Sequence, residues 1–86
     1  MNINFHKDFL KDYWKLNIKQ RTKVDHILTI FKTDPFRQTL KNHPLKSALF
    51  GKRAISAGGD LRIIFKEHNN YLEVLCLRVG THNQVY

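Results

Sequence analysis

The spacing of apolar residues changes near Lys52, and this change predicts a fold that places helices before strands. Upstream of it, apolar residues recur every three or four positions in two segments, as in amphipathic helices. The two stripes are Phe5, Phe9, Tyr13 and Leu16, then Val24, Ile27, Leu28 and Phe31. With a break at Asn17, we expect the two helices to pack as a hairpin whose stripes face a core and do not form a partner-binding groove.

Downstream of Lys52 the pattern alternates with a period of two, which is typical of strands. The predicted strands are Met1–Phe5 at an edge, Lys52–Ala57, Leu61–Lys66 and Tyr71–Val79. Tyr71–Val79 alternates little, so we expect it to be central and covered on both faces. Short turns between consecutive strands favour an antiparallel meander. The predicted fold class is α+β, an N-terminal helical hairpin on one face of a small twisted antiparallel sheet, with the other face left for polar work.

The segment between the helices and the strands is predicted to be largely irregular. Asp34-Pro35 ends the second helix because the residue before a proline avoids the α region. The same pair can begin one short further turn that runs through Leu40. His43-Pro44-Leu45 then opens a long loop.

Length and composition limit the remaining possibilities. With 86 residues the chain is expected to form one domain, residues 1–86. It contains no apolar run of membrane-spanning length and no signal-peptide pattern, so we expect a cytoplasmic protein. The single cysteine, Cys76, lies in a strand pattern and is expected to be a small buried hydrophobe. The net charge of +8 favours nucleic acid or an acidic protein as a partner.

Polar residues of the last third, together with one histidine upstream, have the chemistry of a phosphate-directed site. They are His43, Asp60, Arg62, Arg78, His82 and Tyr86. Histidine can give or take a proton near neutral pH, and general acid–base catalysis contributes roughly 10²–10⁴-fold to a rate. Arginine matches phosphate oxygens, and tyrosine can stack on a base or donate its hydroxyl. RNA cleavage by attack of a ribose 2′-OH needs these groups.

Each candidate also has a structural interpretation. His43 can order its loop, His82 can cap a strand, and Arg62 can pair with Asp60 on one face of a strand. Lys52 and Arg53 are interpreted as solvated surface cations, and the functional alternative is that they contact the RNA backbone. The other histidines, His6, His26 and His68, are interpreted as surface residues. No metal-ligand spacing and no glycine-rich phosphate loop occurs, so the sequence predicts no metal and no cofactor.

Five local motifs, in this order, resemble one family. They are F-x-x-D-P (Phe31–Pro35), N-H-P-L (Asn42–Leu45), G-x-R (Gly51–Arg53), G-D-L-R-I-I-F (Gly59–Phe65) and R-V-G-T-H (Arg78–His82). Over nearly the whole chain they are similar to the RelE/ParE toxin superfamily of bacterial toxin–antitoxin systems, and within it to the YafQ-like messenger-RNA interferases. The resemblance implies a RelE-like fold and a toxin that cuts messenger RNA in the ribosomal A site.

The resemblance also implies roles for individual residues. His43, Asp60, Arg78 and His82 match the family's catalytic positions, and Tyr86 stands where an aromatic residue follows the histidine. Arg62 matches a phosphate-binding arginine of RelE-like members, and Lys52 and Arg53 stand in for lysines that those members carry. The sequence departs from the family at Ile55-Ser56, where a further histidine is usual, and at Leu61, where a tryptophan is usual.

The expected function is therefore a ribosome-dependent endoribonuclease toxin of a type II toxin–antitoxin system. Two alternatives remain open: a ParE-like inhibitor of gyrase that cleaves no RNA, and a degenerate member that only binds its antitoxin. The expected partners are a cognate, acidic antitoxin, the ribosome and messenger RNA. Operator DNA is expected to be contacted only through the antitoxin, and no membrane partner is expected.

Overall fold

Two long helices precede most of the strands in the computed structural model of the chain, which describes residues 1–86. The helices are α1 (Lys7–Lys15), α2 (Ile18–Thr33) and the short α3 (His82–Val85). The strands are β1 (Asn2–Phe5), β2 (His43–Pro44), β3 (Arg53–Ser56), β4 (Leu61–His68) and β5 (Glu73–Thr81). Single 3-10 turns lie at Gln38–Leu40 and Ser47–Leu49. None of the helices has the length and apolar character needed to cross a membrane.

Side-chain hydrogen bonds determine where α2 begins and how it meets α1. The Asn17 side chain accepts the Gln20 N–H at 2.8 Å, and the Gln20 side chain accepts the Asn17 N–H at 3.0 Å. This reciprocal pair satisfies two N–H groups that have no partner inside the helix, so the predicted break at Asn17 is the start of α2. The Tyr13 hydroxyl donates to Asp25 at 2.7 Å and links α1 to α2. That hydrogen bond raises the pKa of the Tyr13 phenol, because only the neutral form can donate.

The sheet has the strand order β1-β5-β4-β3-β2. Strands β3, β4 and β5 form the predicted antiparallel meander. β1 pairs with β5 in parallel, which makes the sheet mixed and moves β5 away from the edge. β2, which lies in the segment expected to be a loop, pairs antiparallel with β3. The α+β architecture is confirmed, whereas strand β2 and the parallel orientation of β1 were not predicted.

Apolar side chains pack on both faces of the sheet. The main core lies under the helices, where Phe9 of α1 and Phe31 of α2 meet Ile63, Phe65 and neighbouring residues of the sheet. The aromatic rings of Phe31 and Phe65 meet edge to face with centroids 4.9 Å apart. A second, smaller cluster on the opposite face joins three residues, Ala54, Ile64 and Val85. The strand at the centre of the sheet is β4, which is covered on both faces, whereas β5, which was expected to be central, lies between β4 and the edge strand β1. Val85 of α3 covers part of the face that was expected to be free.

Candidate functional site

Two rows of directly opposed residues cross the sheet on the face away from α1 and α2, which we call the α3 face. Opposed residues of adjacent antiparallel strands project to the same side of a sheet. The first row consists of His43, Ala54, Ile64 and Arg78, and the second of Ser56, Arg62 and Gly80. Since Ala54 and Ile64 pack against Val85 of α3, both rows lie on the α3 face. The register therefore assigns His43 and Arg62 to one face, together with the start of the Arg78 side chain, whose guanidinium reaches Asp12 of α1 beyond the end of β1.

Helix α3 folds back over β5 and carries two further candidate residues. Gln84 accepts the Thr81 N–H at 2.8 Å, as part of a capping box that begins the helix. Gly80 leaves room for this return, because a Cβ at that position would lie 2.7 Å from Oε1 of Gln84. One helical turn apart, the rings of His82 and Tyr86 meet edge to face with centroids 4.2 Å apart. The fold therefore brings an imidazole and a phenol into direct contact.

Arg62 lies near this aromatic pair. Burial raises the pKa of the Tyr86 phenol, and the positive charge of Arg62 partly opposes that rise. Tyr86 is consequently a neutral hydroxyl donor at neutral pH. Nη1 of Arg62 donates to the carbonyls of Gly59 and Leu61, both at 2.9 Å, and the ion pair with Asp60 that the sequence suggested is not formed. Nε and Nη2 of Arg62 make no hydrogen bond and are available to a ligand.

His43 is exposed at the β2 edge of the sheet, and its ring has a defined tautomer. Nδ1 lies 2.8 Å from the carbonyl oxygen of Lys41. A carbonyl can only accept, so Nδ1 must carry the proton, and in the neutral ring Nε2 is then an unprotonated acceptor. The loop-ordering interpretation of His43 and its chemical interpretation are therefore compatible, since one ring nitrogen serves each.

Asp60 lies in the exposed turn before β4 and makes no side-chain hydrogen bond. The residue after it, Leu61, is opposite Thr81, and His82 directly follows Thr81. Asp60 and His82 thus occupy the same end of the sheet, although no hydrogen bond or ion pair joins their side chains. Of the six residues singled out for phosphate chemistry, His82 and Tyr86 are in contact, with Arg62 close to Tyr86.

Arg78 is held by Asp12 of α1, an acidic residue that was not among the predicted site residues. Its Nε donates to Oδ2 of Asp12 at 2.6 Å and its Nη2 donates to Oδ1 at 3.2 Å. The same carboxylate accepts the backbone N–H of Val79 at 3.1 Å. These hydrogen bonds, with the negative charge, raise the pKa of Arg78, which stays a permanent cation. Only Nη1 of Arg78 is left without a hydrogen bond.

A groove of about 350 Å³ beside α3 collects positive charge, and we call it the basic groove. It is lined by three cations, Lys52, Lys66 and Arg78, by one acid, Asp8, by His6, and by the apolar residues Leu49, Ile64, Leu77 and Val85. A β-bulge next to Phe65 leaves Leu77 without a partner on β4. Bulges bend a strand and redirect its side chains, and here both Leu77 and Arg78 line the groove. Three cations against one acid give the groove a net positive charge, which suits a phosphate-bearing chain.

Arg53, predicted as a phosphate contact, does not belong to this groove. It lies directly opposite Phe65, whose ring is in the main core, so it projects to the other side of the sheet. Its Nε donates to Asn42 at 2.8 Å, and its guanidinium lies 5.7 Å from the centre of the Phe36 ring. Arg53 and Lys52 project in different directions because successive residues of an extended segment alternate between faces. Both nevertheless line a separate groove that also contains Glu67.

Lys66 and Asp12 are the residues at this site that sequence reasoning missed. The signal for Lys66 was present, because it continues the same alternation that places Arg62 on the polar side of β4. Asp12 gave no such signal, since it lies in the helix pattern of α1, 66 positions from the arginine that it binds. No three His, Cys, Asp or Glu side chains converge in an arrangement that could hold a metal ion.

The fold is that of small toxins of bacterial toxin–antitoxin systems. The YoeB/ParE toxin from Agrobacterium tumefaciens matches it with a TM-score of 0.77 at 16% identity, over 95% of this chain and 99% of that one. YafQ from E. coli strain BL21(DE3) matches with a TM-score of 0.80 at 26% identity, over 99% of this chain and 97% of that one. A chain of the E. coli DinJ-YafQ toxin-antitoxin complex matches with a TM-score of 0.77 at 26% identity, over 99% of this chain and 96% of that one. Among curated proteins, no relative matches the sequence.

The family follows from the whole sequence. Residues 1–86 match the model described as the bacterial toxin of type II toxin-antitoxin system, YafQ. The chain therefore belongs to the YafQ family of toxins of type II toxin-antitoxin systems. The resemblance that the five motifs indicated is confirmed at the level of family and fold.

Proposed function

We propose that this toxin is a ribosome-dependent endoribonuclease that cleaves messenger RNA in the A site, and that residues 1–86 act as one toxin domain. The observation that carries the proposal is the group formed by His82, Tyr86 and Arg62, with His43 and the start of the Arg78 side chain on the same face of the sheet. Cleavage of RNA at a phosphate requires acid–base side chains beside guanidinium groups. The net charge of +8 supports a polyanionic substrate.

The proposed reaction is an internal attack within the RNA chain. A base removes the proton of a ribose 2′-OH, and the 2′-oxygen bonds to the adjacent phosphorus. The bond from phosphorus to the 5′-oxygen breaks, and an acid protonates that oxygen. The products are a 2′,3′-cyclic phosphate and a 5′-hydroxyl end, so atoms and protons balance without a further reactant.

Two histidines suit the two proton transfers. In neutral His43 the lone pair of Nε2 is free, which favours it as the base, because Nδ1 is engaged by the Lys41 carbonyl. His82, exposed beside Tyr86, is then assigned to protonate the leaving oxygen or to hold the phosphate. Asp60, at the same end of the sheet as His82, is assigned as an alternative base or as an orienting group.

The remaining groups bind and stabilise the phosphate. Arg62 has two unpaired donor nitrogens and Arg78 has one, and both arginines are assigned to the charge that builds on the phosphorane. Tyr86 is assigned to stack on a base or to donate its hydroxyl. Lys52 and Lys66, which line the basic groove, are assigned to flanking phosphates of the RNA.

Primer extension on a defined messenger RNA in a reconstituted translation reaction tests the proposal. We expect cuts at A-site codons that require ribosomes and that His82→Gln abolishes, while His26→Gln, a matched change of an exposed histidine on α2, leaves them unchanged. Thermal unfolding of both variants checks that the fold is retained. A folded wild-type protein that makes no cut, or one that blocks DNA supercoiling by gyrase, would contradict the proposal.

A second variant tests the base assignment. His43→Asn keeps an N–H donor close to the position of Nδ1, so the bond to the Lys41 carbonyl survives, and it removes the free nitrogen. We expect the cleavage rate to fall by at least about 100-fold with little change in melting temperature. Full activity in this variant would leave His43 with only its role in ordering the loop.

We also propose that a cognate antitoxin binds this toxin. Solved relatives are complexes of this kind, DinJ-YafQ from E. coli and YoeB-YefM from Staphylococcus aureus. The excess of Lys and Arg over Asp and Glu, 15 against 7, favours an acidic antitoxin that neutralises the basic surface. Operator DNA would be contacted through the antitoxin, and the site of action would be the cytoplasm, where the ribosomes are.

A further inference from the structure

The contact between Asp12 and Arg78 uses only one edge of the arginine. Both oxygens of Asp12 accept from the edge formed by Nε and Nη2, at 2.6 and 3.2 Å. The Asp12 side chain is 14% exposed and that of Arg78 is 41% exposed. The carboxylate is thus the more buried partner and the guanidinium the more exposed one, and Nη1 of Arg78 makes no hydrogen bond.

The carboxylate of Asp12 also forms a hydrogen bond to the backbone of the sheet, next to its contact with Arg78. Its Oδ2 accepts the N–H of Val79 at 3.1 Å. The parallel partner of β5 has ended by this point, since the last paired residues of β1 and β5 are Phe5 and Cys76. The carboxylate therefore takes the place of a strand partner for Val79, and this bond gives it a defined position relative to β5.

This arrangement matters because a free arginine side chain has several rotatable bonds. Binding a phosphate with a mobile arginine costs the conformational entropy of its rotamers, whereas a guanidinium already held in place does not incur that cost. Arg78 also lines the basic groove, together with Lys52, Lys66 and the acidic Asp8. Arg78 is thus held in place by Asp12 while its Nη1 remains free in the groove. An arginine in this state is preorganised to bind a phosphate.

We infer that Asp12 is a positioning residue, which holds Arg78 by one edge so that the other edge meets the phosphate of the RNA at the cleavage site. The inference rests on the proposed ribonuclease function. Asp12 does not touch the substrate; it acts through Arg78. Its negative charge opposes RNA binding slightly, so its benefit is expected in the rate of the chemical step and not in affinity.

Four variants test the inference in the ribosomal cleavage assay: Asp12→Asn, Arg78→Ala, the double variant, and Asp34→Asn as a matched control. Asp34 lies at the end of α2 in an exposed pair with Arg37, 3.6 Å away, so its change removes the same charge elsewhere. Asn at position 12 keeps an oxygen that can accept the Val79 N–H, but it loses the negative charge and one of the two oxygens that bind Arg78. We expect Asp12→Asn to lower the cleavage rate constant about 10- to 100-fold without raising the half-saturating concentration, and Asp34→Asn to change neither.

The double variant distinguishes positioning from a merely structural role. If Asp12 acts through Arg78, then Asp12→Asn has no further effect once Arg78 is alanine. An equal loss of rate in the Arg78→Ala background would overturn the inference, as would a rise in half-saturating concentration with an unchanged rate.

A measurement on the protein alone separates this inference from the proposed function. In the ¹H–¹⁵N spectrum, we expect the Nε–H of Arg78 to exchange slowly with water and to lie apart from the other arginines, and to lose both properties in Asp12→Asn. Absence of cleavage by the wild type would contradict the ribonuclease proposal. Fast exchange of this proton in the wild type would overturn the positioning of Arg78, whatever the cleavage assay gives.

Discussion

Cys76 lies fully buried in the centre of the sheet, and burial raises the pKa of its thiol from 9.0 to about 12. The raised pKa means that the folded chain keeps this proton at pH values where the unfolded chain loses it. The contribution of the Cys76 thiol to the free energy of unfolding is therefore fully present below pH 9 and decreases as the pH rises towards 12. Over that interval the free energy of unfolding should fall by up to about 1.4 kcal/mol per pH unit.

Urea unfolding of wild type and Cys76→Ala between pH 8 and pH 12 tests this, in the range set by the raised pKa of about 12. The difference in unfolding free energy between the two proteins should shrink steadily above pH 9. Tyr13 and Tyr86, whose pKa values are also raised, are present in both proteins and cancel in the comparison. Parallel alkaline curves for the two proteins would show that the thiol contributes nothing.

Single residues of the site divide into those that sequence reasoning could find and those that it could not. His43, His82 and Arg62 were found because their side chains carry recognisable chemistry in a suggestive order. The state in which each works depends on partners that no local pattern reveals. The tautomer of His43 is determined by a carbonyl two residues away, and the orientation of Arg78 by an acid 66 positions upstream.

Helix α3 is the element on which the site depends, and Gly80 is where it is most sensitive. A Cβ at Gly80 would lie 2.7 Å from Oε1 of Gln84 and 3.3 Å from Cγ1 of Val85. Relief by moving Gln84 breaks its bond to the Thr81 N–H, so α3 itself should shift. We expect Gly80→Ala to cost about 1–3 kcal/mol of stability and to impair cleavage more than that loss explains, since His82 lies on α3.

Chemical denaturation and cleavage rates of Gly80→Ala, alone and combined with Gln84→Ala, measure this effect. Removing the Gln84 side chain takes away the closest neighbour of the new methyl group. The cost of Gly80→Ala should therefore be smaller in the Gln84→Ala background than in the wild type. Equal costs in both backgrounds would mean that the contact with Gln84 is not the cause.

Among the elements, those with a strong period were predicted well and those formed by tertiary contact were not. The second helix was expected after the break at Asn17 and before Asp34-Pro35, and it runs from Ile18 to Thr33, because apolar spacing and a cap at Asn17 agree. The two-residue strand β2 has no period to detect, and it exists because β3 offers it an edge. The parallel pairing of β1 depends on where β5 returns, which is settled only when the whole sheet assembles.

At the scale of the whole molecule, the positive charge is spread over the surface, but the fold concentrates part of it. Lys52, Lys66 and Arg78 meet at the basic groove, whereas other lysines lie exposed on the helices. Spread charge attracts any polyanion from a distance, while a groove aligns a chain along its phosphates. The two contributions differ in how binding responds to single substitutions.

Binding of a fluorescent single-stranded RNA to the His82→Gln protein, measured at several salt concentrations, separates the two contributions. Each phosphate contact in a single strand contributes about −0.7 to the slope of log affinity against log salt. Lys66→Gln should weaken binding and make the slope about 0.7 less steep, because Lys66 lines the groove. Lys32→Gln, an equal change of charge on the exposed side of α2, should leave the slope unchanged. If both variants lower the slope equally, RNA is held by the overall charge of the molecule and the groove does not guide it.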